Sequence, residues 1–143
     1  MKMRHCLHAG LIALVICASV LSVSAQSRLS DKDVAATMKN LNNDAKKYRS
    51  EFNAAIKKSV IRHTSQEKDA RALAQEFERQ TGSMLQHFKS TKKADNSLPI
   101  VLTTADKLAK TAESAGVTAQ LSSRWTSIRA SLDKLSAAFD IHS

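Results

Sequence analysis

The residues able to ligate a metal or move a proton are few, and their spacing suits neither task. Of five histidines in 143 residues, His63, His87 and His142 lie beyond the first 25. A carboxylate-bridged di-iron bundle needs Glu-x-x-His, so that both ligands share one helix face. The residues three before these histidines are Val60, Met84 and Phe139. No H-E-x-x-H zinc motif, no G-x-S-x-G nucleophile elbow and no phosphate-cradling glycine loop occurs. His63 and His87 stand on successive helical segments, about 35 Å apart at ~1.5 Å per helical residue, too far to share a site. These residues point to no reaction and no metal, and a non-enzymatic protein is expected.

The second set of residues with chemistry to offer is cationic. Lys and Arg number 22 against 13 Asp and Glu, a formal net charge of +9. Between residues 32 and 62 fall Lys32, Lys39, Lys46, Lys47, Arg49, Lys57, Lys58 and Arg62, interleaved with Asp33, Asp44 and Glu51. On a helix this pattern is a solvated face. Lys57, Lys58 and Arg62 stand near the expected end of that helix, where cations offset the helix dipole by ~0.3–1 kcal/mol each. The chemistry open to them is attraction of an anionic partner such as lipid headgroups, a wall polymer or nucleic acid. Nucleic-acid stacking needs exposed aromatics. Tyr48 and Phe52 fall on the apolar stripe instead, which argues against nucleic acid.

Export is expected from the first 25 residues. Lys2 and Arg4 precede an apolar run, Leu11 to Ala18, and Val23-Ser24-Ala25 offers the small residues a signal peptidase reads, with cleavage before Gln26. The run is shorter than the ~18–20 residues a membrane crossing needs. Cleavage leaves 118 residues with a net charge of +7 and no cysteine, because Cys6 and Cys17 leave with the signal. The mature chain, 26–143, then has neither a disulfide nor a transmembrane segment, and it reads as one domain, periplasmic or extracellular.

The elements that must position the cations are helical. Hydrophobic residues make up 43% of the chain, while three glycines and one proline are too few for the turns of an all-β fold. Ser30 caps a first helix, expected at about 31–62, whose Val34, Met38, Leu41, Ala45, Tyr48, Phe52 and Ala55 step by four and three. Ile56, Val60 and Ile61 then shift the stripe sideways. Thr64-Ser65-Gln66-Glu67 is a capping box opening a second helix, about 65–89, with Ala70, Leu73, Phe77, Thr81, Met84 and Phe88 on one side. Pro99 suits the first turn of a third helix, about 99–115, striped by Val101, Ala105, Leu108, Ala112 and Ala115 and stopped by Gly116. The fourth, about 118–140, carries Leu121, Trp125, Ile128, Leu132, Leu135 and Phe139, and Trp125 is expected in the core. Short connections favour antiparallel neighbours, so the fold class is all-α, an up-down-up-down four-helix bundle. The seams suit either a monomer or a homodimer of hairpins.

In such a bundle Met38, near the start of the first helix, lies beside His142, at the end of the fourth. The string Met38-Lys39-Asn40-Leu41-Asn42-Asn43 resembles the start of periplasmic b-type cytochromes, and that resemblance implies haem held between Met38 and His142. The residues by themselves imply no cofactor, since a seam methionine also serves as filler. Arg28-Leu29-Ser30-Asp31, Asp44-Ala45-Lys46-Lys47-Tyr48-Arg49 and the Trp125 to Phe139 stripe together resemble a family of small exported bacterial helical proteins of uncharacterised function. This resemblance implies an exported helical domain and brings no catalytic residue with it. The expected role is an interaction or structural module of the cell envelope, its partner an unidentified protein or envelope component.

Overall fold

Ser30 starts the first helix, α1 (Asp31–Ile56), from an extended backbone: its hydroxyl accepts from the Asp33 N–H at 3.2 Å and donates to the Asp33 carboxylate at 2.6 Å. The structure is a computed structural model that describes residues 29–94 and 96–141; the expected signal, residues 1–25, and His142 lie outside them. Every residue of the α1 stripe from Val34 to Ala55 is buried. The helix ends at Ile56, six residues before the expected boundary at 62. Packing supplies the reason. Ile56 and Ile61 are both buried, while Val60 is 83% exposed. On a continuous helix two residues five apart point roughly 140° away from each other. The chain therefore leaves the helix after Ile56 and turns through 57–64, which lets both isoleucines reach the core.

Thr64 then caps α2 (Ser65–Thr91), its hydroxyl accepting from the Glu67 N–H at 3.4 Å. The return half of the box is displaced by one residue. Glu67 accepts from the His63 N–H at 2.6 Å, while the Thr64 N–H donates to the Ile61 carbonyl. The His63 N–H, assisted by the ion pair to Arg71, holds the Glu67 carboxyl below its ordinary range. A carboxyl depressed in the folded state stabilises above the unfolded value, and that contribution fades as pH falls through the lower folded value. Thr64→Ala should cost about 1 kcal/mol in urea unfolding, through the lost cap; an unchanged midpoint would contradict the cap assignment.

The third helix, α3 (Ser97–Ser114), starts two residues before Pro99, because the Ser97 and Leu98 N–H groups already donate to the Ala94 carbonyl at 3.1 and 3.0 Å. Pro99 still falls in the first turn, where a missing N–H is tolerated. Gly116 ends the helix with φ of 69°. Its N–H donates to Glu113 and that of Val117 to Ala112, at 2.9 and 3.0 Å, with Val117 and Ala112 both buried. That is a Schellman stop with its apolar contact, and a left-handed residue there favours glycine. The last helix, α4 (Thr118–Ala138), buries Leu121, Ile128, Leu132 and Leu135. Trp125 and Phe139 are only half-buried, packed against the core rather than in it.

The direction of packing follows from which residues meet. Asn42 faces Thr81 and Arg49 faces Glu78, so α1 and α2 run oppositely. Val34 near the start of α1 shares a cleft with Phe88 near the end of α2 and with Phe139 just past the end of α4. Ala70 and Leu73 of α2 share another with Thr111 and Ser114 of α3. α1 packs broadly on α2 and α4, α2 packs on α3, and the α3–α4 seam is the thinnest. Among the described residues there are four helices and no strand, the arrangement of a four-helix bundle. Tyr48 stacks on Phe52 with ring centroids 5.6 Å apart and leans on Trp125 at 5.4 Å. Arg124 of α4 clamps the same seam from outside, bonding Asp44 at 3.0 Å and Glu51 at 3.1 Å.

Candidate functional site

Beside the buried stripe of α1 runs a second, polar one: Asn42, Lys46, Arg49, Asn53 and Lys57, spaced by four, three, four and four. Residues at that spacing share one helical face. Here the face borders α2. Asn42 donates to the Glu78 carbonyl at 3.2 Å and to the Thr81 hydroxyl at 3.0 Å. A Cβ at Gly82 would stand 3.3 Å from the Asn42 amide nitrogen, a tight contact that glycine leaves open. The contact fixes the register in which the α1 cations meet α2.

Two shallow grooves of about 670 and 710 Å³ open along this junction. The first is lined by Lys46, Arg49, Asn53, Lys57 and Lys58, the second by Lys46, Arg49, Gln75, Arg79 and Gln86, and Glu78 borders both. Because they share Lys46, Arg49 and Glu78, they form one trough with five cations and a single carboxylate in its walls. That carboxylate is engaged by the Arg49 guanidinium at 2.7 Å. Arg79 also pairs with Glu76, just outside the walls, and holds its carboxyl below the usual range. Asn53 lines the trough between the two groups of cations, and its carboxamide oxygen is buried without a partner. The remaining lining is hydroxyls, amides and small residues, with no aromatic ring and no histidine or cysteine. Such a trough can attract and hold an anion.

The chain matches no protein-family model, no curated protein and no solved structure. What it does has to be read from its own surface.

Of the cations singled out in the sequence, Lys57 and Lys58 line the trough, joined there by Lys46 and Arg49. Arg62 is exposed in the turn beyond α1 and is not part of the lining. The last turn of α1 contains no basic residue; Lys57 is its C-cap and Lys58 follows it. Tyr48 and Phe52 are buried, so neither offers a stacking face. Met38 is fully buried in the α1 seam. The cleft at that end of the bundle, about 280 Å³, is lined by Leu29, Val34, Phe88, Lys92 and Phe139 among others, and Met38 is not part of its wall. His142 lies outside the described residues. Among the described residues no group of three or more His, Cys, Asp and Glu could hold a metal ion, and no helix is long and apolar enough to cross a membrane.

Sequence reasoning read the α1 cations as a solvated face and missed Asn53, Glu78, Arg79 and the Asn42–Thr81 contact. The polar stripe at 42, 46, 49, 53 and 57 was the available signal, since it runs parallel to a heptad seam. The α2 wall had none, because the rotation of one helix against another is set by packing.

Proposed function

We propose that the chain is an exported, non-enzymatic helical bundle that acts through its surface, binding an anionic component of the cell envelope along the α1–α2 trough. The observation carrying this reading is the trough itself, with five cations and one already neutralised carboxylate along a continuous depression. Low-dielectric walls concentrate such a field and attract anions from solution. The signal-like pattern of residues 1–25 supports export.

The test uses labelled dextran sulfate, a polyanion with no further recognition feature, and two double variants of equal net charge. Lys57→Glu with Lys58→Glu should weaken binding at least tenfold, whereas Lys107→Glu with Lys110→Glu, on α3, should change it less than twofold. Affinity should fall steeply with salt, as screening shortens from ~10 Å at 0.1 M to ~3 Å at 1 M. Equal losses in both variants would mean that net charge alone attracts the probe, and would overturn the assignment of the face.

A further inference from the structure

The shape of the trough says more than its sign. Lys46 and Lys57 stand eleven residues apart on α1, about 16 Å at ~1.5 Å per residue. One end gathers Lys46, Arg49 and Arg79, the other Lys57 and Lys58, with Asn53 between them. A compact anion, such as one phosphate headgroup, reaches only one end. Both ends are engaged together only by a ligand that repeats its charge along a chain.

Resting on the reading above, we infer that the ligand is a linear phosphate polymer of the envelope that carries no bases and is long enough to bridge both cation clusters. Lysine ammoniums bind phosphate as compact point charges and need no fixed geometry, which suits a flexible chain. Both arginines of the trough already hold a carboxylate, Arg49 through Nη1 to Glu78 and Arg79 through Nε and Nη2 to Glu76, so a carboxylate polymer would compete for them with groups already in place. No aromatic ring lines the trough, which removes the stacking platform that single-stranded nucleic acids use. Binding at the second cluster becomes intramolecular once the first is engaged. Chain length therefore raises affinity in a step, at the length that first spans the gap.

The experiment measures affinity of the full chain for tripolyphosphate, for long-chain inorganic polyphosphate and for an oligodeoxythymidylate of matched charge. Long-chain polyphosphate should bind at least thirtyfold tighter than tripolyphosphate. Lys57→Glu with Lys58→Glu should remove that advantage while leaving tripolyphosphate binding within about threefold. The oligodeoxythymidylate should bind no tighter than polyphosphate. Equal affinities for short and long chains, with binding still sensitive to Lys46→Glu, would overturn the bridging chain and leave the anionic face standing. Tighter binding of the oligodeoxythymidylate would make nucleic acid the ligand and overturn the inference. Binding of none of the three would overturn both.

Discussion

Replacing Phe52 by alanine should lower the unfolding free energy by about 3–5 kcal/mol, the cost of emptying a fully buried aromatic site. Phe52 is fully buried, stacks on Tyr48 and stands where α1 meets its neighbours. Burial also lifts the Tyr48 hydroxyl far above its ordinary pKa, which marks how dry this part of the seam is. For a domain of ordinary stability the loss is a large fraction of the total. Urea unfolding followed by helical circular dichroism measures it. Trp125→Ala should cost less, because the indole is only half-buried and its outer part already meets water. If Trp125→Ala cost more than Phe52→Ala, the aromatic seam would be centred on α4 rather than on α1.

The second large effect is on binding. Arg49→Glu should weaken long-chain polyphosphate about 100-fold at low salt, equivalent to ~2.7 kcal/mol. Arg49 borders both halves of the trough, and its guanidinium neutralises Glu78. The reversal replaces a cation by an anion and frees a second carboxylate beside it, so a polyanion meets repulsion at the middle of its path. Stability should change little, by up to about 1 kcal/mol, because the Arg49–Glu78 pair is partly solvated, with the two side chains 41% and 23% exposed. A melting temperature close to the parent's together with lost binding separates the two effects. Unchanged affinity would remove Arg49 from the site.

Much of the helical frame was legible because it is local. Ser30, Thr64, Pro99 and Gly116 act on neighbours within a few residues, and each works near where its side chain or backbone preference requires. The α1 stripe was equally clear, since a four-and-three spacing admits one buried face. The end of α1 was not. No glycine or proline marks it, and the turn exists because Ile56 and Ile61 both seek the core, with His63 taking a left-handed φ of 64° on the way. Trp125 misled for a related reason: its spacing is faultless, but the ring packs on Tyr48 at the edge of the core and stays half-buried. The trough was half visible. Lys57 and Lys58 stood out as cations, yet their joining with Lys46, Arg49 and Arg79 depends on the Asn42–Gly82 approach, a contact between residues forty positions apart.

Backbone amide shifts of the isotope-labelled protein, titrated with long-chain polyphosphate, test the location of binding most directly. Changes should concentrate in residues 42–58 of α1 and its C-terminal turn and in residues 75–86 of α2, while α3 and α4 stay near their free positions. Shifts spread evenly over all four helices, or gathered on α3 and α4, would contradict a binding face between α1 and α2.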